Sequence, residues 1–277
     1  MPDRSPAHPA GHRTYARYVA LGDSQTEGLG DGDDTSGLRG FADRLADQLV
    51  LHSPELTYAN LAVRGRLAGQ VRAEQLDAAL ALRPDLATVV AGVNDVLRPS
   101  FDADAVAGHL EAMFAALTAQ GARVVTVTFP DPARLTPLAR PLSPRIAGLN
   151  DRVRRAARRH GVVVAETHRH PVVMDPRLWS PDRLHASPLG HLRIASALAH
   201  ALGLPDSDDS WTRPLPDQAP AGRGSGPAGA WRTLADELRW AAGFLGPWLR
   251  RRLTGRSSGG GRTAKRPLLL PVRTEET

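Results

Sequence analysis

Three residues of the chain have the types and the spacing that nucleophilic catalysis requires. Ser24 follows the apolar run Tyr18–Leu21 and the pair Gly22–Asp23, so its hydroxyl is expected at the rim of a sheet. A serine hydroxyl needs a base to take its proton. His185 is the best candidate among the ten histidines because Asp182 precedes it by three residues. One short loop can then aim the carboxylate at the imidazole, as a catalytic triad requires.

Each of these residues also has a simpler interpretation. A serine that opens a turn after a strand commonly hydrogen-bonds to nearby backbone groups. Likewise, Asp182 could cap a turn, and His185 could be a solvated loop histidine. Taken one at a time, these residues leave both catalysis and turn formation open.

Acyl transfer also needs hydrogen-bond donors for the negative charge that develops on the substrate oxygen. The run Leu86–Ala91 predicts a buried strand that would carry the Asn94 amide, within Gly92–Asp95, to its end. In Asn60–Gly65, the glycine that follows another strand-like run lets a backbone N–H approach a ligand closely. Asn and Gly after strands are also typical of ordinary turns.

The four segments occur together and in order, and with them the chain closely resembles the SGNH hydrolases, also called the GDSL esterase and lipase family. The resemblance extends over roughly residues 15–204. One such segment would be a weak signal, whereas four in order are a strong one. The matching segments are Gly22-Asp23-Ser24 with Gly28, Asn60 to Gly65, Gly92-x-Asn94-Asp95 and Asp182-x-x-His185.

The resemblance implies a serine esterase that hydrolyses carboxylic esters through an acyl-enzyme. Ser24 would be the nucleophile, His185 the general base and then acid, and Asp182 the group that orients His185. The backbone N–H groups of Ser24 and Gly65 and the side-chain amide of Asn94 would form the oxyanion hole. Supporting positions in the same segments are Gly22, Asp23, Gly92 and Asp95.

Other functions remain as alternatives at this point. The nucleophile elbow of α/β-hydrolases has a glycine two residues after its serine, where this chain has Thr26, which argues against that motif. A lysophospholipase or thioesterase acting on a lipid-like substrate at a membrane surface is an alternative to a soluble esterase. From another class, the chain could be a non-catalytic, membrane-associated binding protein on the same fold.

The elements around these segments alternate between strand-like runs and helical patterns closed by glycines such as Gly161 and Gly203. This alternation predicts an α/β fold, a three-layer, doubly wound sandwich with a roughly five-stranded parallel sheet. By resemblance it is the flavodoxin-like SGNH hydrolase fold. Ligands bind at the carboxyl ends of such strands, where the four segments lie. The predicted strands are Tyr18–Leu21, Tyr58–Leu61, Leu86–Ala91, Val124–Phe129 and Val162–Ala165.

Composition argues against metal and cofactor chemistry. The chain has no cysteine, which excludes disulfides, a thiol nucleophile and cysteine-based zinc or iron–sulfur sites. His168 and His170 could present two imidazoles on one side of an extended segment, but no third ligand is spaced to complete a metal site. We therefore expect no metal and no cofactor, and a small-molecule ester as the substrate. The loop Pro130–Pro141 is a candidate rim of the substrate site.

The 277 residues, 42% of them hydrophobic, suit one globular domain with extensions. No signal peptide or membrane-spanning run is apparent, so a cytoplasmic protein is expected. The predicted parts are a flexible N-terminus (1–13), the SGNH-type domain (14–204), a Pro/Gly-rich linker (205–230), an amphipathic helix (231–253) and a basic disordered tail (254–277).

The C-terminal extension carries much of the net charge of +6, with eight basic and no acidic residues between Arg250 and Arg273. An amphipathic helix bearing tryptophan next to a basic tail suits reversible binding to an anionic membrane, through Trp231 to Arg273. Alternatively, the helix packs on the domain and the tail is merely solvated. Attraction of the tail to nucleic acid would be non-specific, so no specific nucleic-acid partner is expected.

Overall fold

Five parallel strands form the middle of the sheet in the computed structural model, which describes residues 13–216, 242–243 and 259–272. A sixth strand joins one edge, and the order is β7-β6-β5-β1-β4-β8. These strands are β1 (Arg17–Gly22), β4 (Thr57–Asn60), β5 (Leu86–Val90), β6 (Arg123–Val127), β7 (Val163–Ala165) and β8 (Arg266–Pro271), and a separate hairpin contains β2 (Gly32–Asp33) and β3 (Gly37–Leu38).

Two groups of helices flank the sheet. The helices are α1 (Ser24–Glu27), α2 (Phe41–Val50), α3 (Ala68–Ala81), α4 (Val93–Val96), α5 (Ala103–Ala119), α6 (Ser143–His160) and α7 (Pro188–Leu202). Helix α5 packs on both α3 and α6, and α2 packs on α7.

Strand β1 lies inside the sheet, between β5 and β4. Its residues 18–21 are fully buried, which explains why the strand reads as a continuous apolar run rather than an alternating one. The Tyr18 hydroxyl bonds to the Thr88 hydroxyl at 3.0 Å, so the polar atom of this ring is satisfied. The Tyr18 ring also stacks on Tyr58 of β4, with 5.0 Å between centroids.

Local signals in the sequence set the ends of the helices. The Ser187 hydroxyl accepts from the Gly190 N–H at 3.2 Å and caps α7, which begins with Pro188 and ends at Gly203 with φ +72°. Gly161 ends α6 in the same left-handed conformation. The glycine stops expected for these two helices are confirmed.

The chain order of the strands creates the crevice in which a site is expected. The connection from β1 leads to β4 on one side, and the next connection returns past β1 to β5 on the other. The loops that follow β1 and β5 therefore diverge, and ligands bind at such a switch point in open parallel sheets. Ser24 follows β1, and Asn94 follows β5.

The predicted α/β architecture is confirmed, but two expectations about the C-terminal extension are wrong. Residues 205–216 do not behave as a linker, because Trp211 is buried and donates its Nε1–H to His200 Nδ1 at 3.2 Å. The expected disordered tail contains β8, which pairs antiparallel with β4. The outer edge of β4 has backbone groups that need partners, and the composition of residues 254–277 does not reveal this.

The remaining predictions about the termini concern residues that the structure does not describe. The described residues do not include 1–12 of the predicted N-terminal segment (1–13), 217–230 of the predicted linker (205–230) or, apart from residues 242–243, the predicted amphipathic helix (231–253). Within the described part of the chain, no helix is long and apolar enough to cross a membrane.

Candidate active site

The structure brings Ser24, His185 and Asp182 together at the carboxyl ends of the strands. Ser24 is the first residue of the short helix α1, directly after β1. Its Oγ lies 2.9 Å from His185 Nε2, although the two residues are 161 positions apart. On the other side of the ring, His185 Nδ1 lies 2.6 Å from Asp182 Oδ2. The three side chains form a continuous hydrogen-bonded chain.

Asp182 is held in place by bonds from its own loop. Its Oδ1 accepts from the Ser180 hydroxyl at 2.6 Å and from the backbone N–H groups of Leu184 and His185 at 2.9 and 3.0 Å. Burial raises the pKa of Asp182, but the hydrogen bonds and charge of His185 outweigh it and hold that pKa well below its usual range. The ionised carboxylate favours a proton on Nδ1, which leaves Nε2 to accept from Ser24.

Gln25 braces the loop that carries His185, a role that the sequence analysis missed. Its Nε2 donates to the Leu184 carbonyl at 2.8 Å, and its Oε1 accepts from the Ala186 N–H at 3.3 Å. The Gln25 side chain, next to Ser24, therefore hydrogen-bonds to the backbone on both sides of His185. No pattern in the sequence signals this, because the partners are about 160 residues away.

Asn94 and Asp23 meet beside Ser24. Asn94 Nδ2 donates to Asp23 Oδ2 at 3.0 Å and to the Arg66 carbonyl at 3.1 Å. Burial raises the pKa of Asp23 to about 6, against the opposing effects of hydrogen bonds from the Gln25 N–H and Asn94 and of the charge of His185. The amide predicted to be an oxyanion donor thus bonds to protein acceptors in this structure.

The segment Asn60–Gly65 turns sharply at the end of β4. Gly65 has φ +77°, a conformation that favours glycine. The neighbouring Arg64 is buried, and its guanidinium bonds to Glu27 at 2.6 and 2.9 Å and to Asp34 at 2.7 Å. Its own N–H donates to Glu27 at 2.6 Å. These carboxylates pair with the buried charge of Arg64 and so explain how a large charged side chain fits next to Gly65.

Three of the predicted supporting residues shape the backbone around the site. A Cβ at Gly22 would lie 2.2 Å from Thr26 Oγ1 and 2.5 Å from the Val90 carbonyl oxygen, so only glycine fits. Gly92 has φ +119° and begins the turn into α4. Asp95 Oδ2 accepts from the Ala68 N–H at 3.0 Å, which ties this turn to the start of α3.

An apolar cavity of about 140 Å³ runs from Asp23 and Gln25 along the carboxyl edge of the sheet. Leu135 of the candidate rim loop lines it, as expected. In the same loop Leu138 is 54% exposed, and Asp131 caps a turn by accepting from the Ala133 N–H at 3.0 Å. The other apolar side chains of the lining include Val93, Val96, Leu97, Phe129, Leu142, Ile146, Val173, Leu178, Trp179, Ile194 and Trp211.

The pair of histidines considered as metal ligands has other contacts. His168 Nδ1 lies 2.9 Å from the Phe129 carbonyl oxygen, and the His170 ring packs edge-on against Trp211 at 4.6 Å between centroids. Across the described ranges, no group of three or more acidic or histidine side chains is arranged to hold a metal ion.

Solved structures with the same fold are enzymes. An α/β-hydrolase enzyme from the metagenome of Lake Arreo, Spain, is 22% identical and superposes with a TM-score of 0.57 over 68% of this chain and 95% of its own. An acetylxylan esterase from Geobacillus stearothermophilus is 18% identical, with a TM-score of 0.58 over 72% of this chain and 97% of its own. At these identities the likeness shows the fold. Among curated proteins, none matches the sequence.

A family model settles the membership. The GDSL-like lipase/acylhydrolase family matches residues 20–193, well over half of the chain. The match includes Ser24, Gly65, Asn94 and the Asp182–His185 loop. This protein therefore belongs to the GDSL-like lipase/acylhydrolase family and is an ester-hydrolysing enzyme.

Proposed function

We propose that this enzyme is a serine esterase that cleaves carboxylic esters through an acyl-enzyme on Ser24. The observation that carries the proposal is the hydrogen-bonded chain from Ser24 through His185 to Asp182, at 2.9 and 2.6 Å. A nucleophile, a base and a group that orients the base are the three parts that such chemistry needs. Catalytic mutants of the related acetylxylan esterase replace these same residue types, a serine, an aspartate and a histidine.

The reaction follows from the positions of the protons. His185 Nε2 takes the Ser24 proton as Oγ attacks the ester carbonyl carbon and its π electrons move to the oxygen. When that oxygen reforms its double bond, the alcohol leaves with the proton from His185, and the acyl group remains on Ser24. Water, deprotonated by His185, then attacks the acyl carbon. The bond from that carbon to Ser24 Oγ breaks, Oγ takes the proton back from His185, and the acid is released. Asp182 stays ionised and stabilises the imidazolium in both halves.

The oxyanion would be bound by the backbone N–H groups of Ser24 and Gly65 and by Asn94 Nδ2. Because Asn94 Nδ2 donates to Asp23 and to the Arg66 carbonyl in this structure, the oxyanion must displace one of these acceptors or share a hydrogen with it. The charged oxygen of the transition state is the stronger acceptor. The contribution of Asn94 therefore develops as the reaction proceeds, which is what rate acceleration requires.

The apolar cavity that begins at Asp23 and Gln25 suits the acyl part of the ester. The surface that lines it is mainly apolar, although Asp23, Arg183 and Arg193 also border it, so it would favour a hydrocarbon chain over a sugar. The proposed substrate class is accordingly an ester with an apolar acyl group longer than acetyl. Esters of lysophospholipids and acyl thioesters fall within the same acyl chemistry and are the second candidates.

Hydrolysis of p-nitrophenyl acetate, butyrate and octanoate tests the proposal. Ser24→Ala and His185→Ala should each lower kcat by about 10⁴-fold or more, and Asn94→Ala by about 10²- to 10³-fold. A fluorophosphonate should label wild-type protein on Ser24. Ser196→Ala is the matched control, since Ser196 is half-buried on α7, away from the triad, and its hydroxyl donates to the Leu192 carbonyl at 3.1 Å. Turnover that survives Ser24→Ala would refute the proposal.

A further inference from the structure

The C-terminal segment 259–272 lies against the part of the site that contains Gly65. Its strand β8 pairs antiparallel with β4, with Tyr58 opposite Leu270 and Asn60 opposite Arg266. Strand β4 leads directly into the turn Asn60–Gly65. Since the family model ends at residue 193, this segment is an addition to the part of the chain that the family describes.

The closest contact is between Gly259 and the carbonyl oxygen of Arg64. A Cβ on Gly259 would lie 2.2 Å from that oxygen and 3.1 Å from Val63 Cγ1, so the two backbones touch with no room for a side chain. The Arg64 carbonyl and the Gly65 N–H belong to one planar peptide group. A contact that holds the oxygen on one side therefore fixes the direction of the N–H on the other.

Lys265 anchors the same segment to α1, the short helix that begins with Ser24, and to α2. Its ammonium donates to the Glu27 carbonyl at 2.9 Å and to Asp43 Oδ2 at 2.6 Å, and its side chain is 18% exposed. Its N–H also reaches the Ala62 carbonyl at 3.4 Å. Ion pairs that are largely shielded from water contribute more than exposed ones. Lys265 thus joins the segment to α1, to α2 and to the residues that lead into the Gly65 turn.

A second ionic link has less shielding. Arg262 pairs with Asp34 at 2.5 and 3.1 Å, and Asp34 also bonds to the buried Arg64. Because Asp34 is 51% exposed, this pair should contribute little by itself. The Arg262–Asp34 pair helps to fix positions, since it adds a second guanidinium to the Glu27–Arg64–Asp34 network beside Gly65.

We propose that residues 259–272 form a positioning segment that sets the orientation of the Arg64–Gly65 peptide, so that the Gly65 N–H faces the reacting carbonyl. The inference rests on the proposed function, in which this N–H is an oxyanion donor. Gly259 and Lys265 act through Gly65 and touch no substrate. Displacing the segment should therefore weaken binding of the transition state and leave binding of the substrate nearly unchanged.

Gly259→Ala in the full chain tests this directly, because the new methyl group must push the Arg64 carbonyl aside. We expect kcat on p-nitrophenyl butyrate to fall about tenfold or more, towards the loss of one oxyanion donor, with KM within about threefold. Hydrogen exchange of the backbone amides in residues 60–65 should become faster. Gly108→Ala is the matched control, because nothing lies within 4 Å of a Cβ there.

Lys265→Met keeps the length of the side chain but removes the two hydrogen bonds of the ammonium group. This variant tests the proposal if Gly259→Ala does not fold. It should lower kcat with little change in KM, and Lys265→Arg should restore part of the loss. Wild-type kcat in a folded Gly259→Ala or Lys265→Met variant, or a loss that lies in KM alone, would overturn the proposal. In that case an active wild type that requires Ser24 would still support the proposed function.

Discussion

Asp23 is a buried carboxyl group whose surroundings oppose its ionisation. It is only 3% exposed, and burial raises its pKa from 3.8 to about 6 even though the Gln25 N–H and Asn94 donate to it. At neutral pH the folded protein therefore holds a carboxylate in an unfavourable place, next to Ser24. Such local destabilisation is common where a site needs a charge in a fixed position.

This gives a prediction for stability against pH. The folded state keeps the Asp23 proton between about pH 4 and 6, whereas the unfolded chain releases it. The stabilisation from this group is fully present below pH 3.8 and is lost as pH rises through about 6. At about 1.4 kcal/mol per pKa unit the loss is about 3 kcal/mol.

Asp23→Asn should therefore be more stable than wild type at pH 7 and gain much less at pH 4. Urea unfolding at both pH values measures this, with Asp77→Asn on the exposed face of α3 as the control. If the free energies of unfolding of Asp23→Asn and of wild type change by the same amount between the two pH values, the pKa assigned to Asp23 is wrong.

At the scale of elements, amide side chains tie the ends of strands to other parts of the chain. Gln75 of α3 bonds to both the N–H and the carbonyl of Gly22, at 2.9 and 2.8 Å, where β1 ends. Asn150 of α6 does the same for Phe129 after β6, at 2.8 Å for both bonds. Gln25 repeats the arrangement on the His185 loop. These bonds satisfy backbone groups at the ends of the strands, and they hold the loops of the site in place.

We predict that Gln25→Leu impairs catalysis more than stability. The loop would lose both bonds that fix the backbone beside His185, and a shift of about 1 Å there can cost about 10²-fold in rate. We expect kcat to fall about 10- to 100-fold with a melting temperature within a few degrees of wild type. The control is Gln120→Leu, which removes a similar bond to the Leu80 carbonyl far from the site. Unchanged kcat in Gln25→Leu would show that the brace is dispensable.

At the scale of the whole molecule, the cavity is assembled from segments far apart in the chain. Residues at or just after the ends of β1, β5, β6 and β7 line it, together with residues of the rim loop, of α4, α6 and α7, and of the segment 173–186 that leads to and includes the His185 loop. Its shape therefore depends on how the layers pack. The length of the acyl chain that fits is a property of the complete domain.

Leu135→Trp should shorten the preferred acyl chain, since Leu135 lines the cavity and an indole would fill part of it. We expect kcat/KM for the octanoate to fall about tenfold or more, with a change of less than about twofold for the acetate, because methylene-sized differences are worth about 1 to 3 kcal/mol. Leu138→Trp in the same loop is the control, since Leu138 is exposed and lies outside the lining. An equal loss on both esters would argue that the acyl group binds elsewhere.

The sequence by itself determined the α/β class, the strand cores and the residues of the proposed triad. These depend on local properties, namely apolar runs, glycine stops and the three-residue spacing of Asp182 and His185. A family resemblance across four segments added the oxyanion residues. The first three segments lie at the ends of β1, β4 and β5, so their place at the rim of a parallel sheet follows from chain order. The Asp182–His185 loop comes well after the end of β7, and tertiary packing brings it to the same rim.

Only the tertiary structure decided which distant residues support these groups. The partners of Gln25 are about 160 residues away, and Lys265 lies 238 residues from Glu27, so no local pattern signals either contact. The same holds for β8, whose short apolar run gains its stability from the open edge of β4. From their composition, residues 254–277 were expected to be a solvated basic tail. The backbone partners and carboxylates that order part of this segment come from the other end of the chain, so composition does not reveal them.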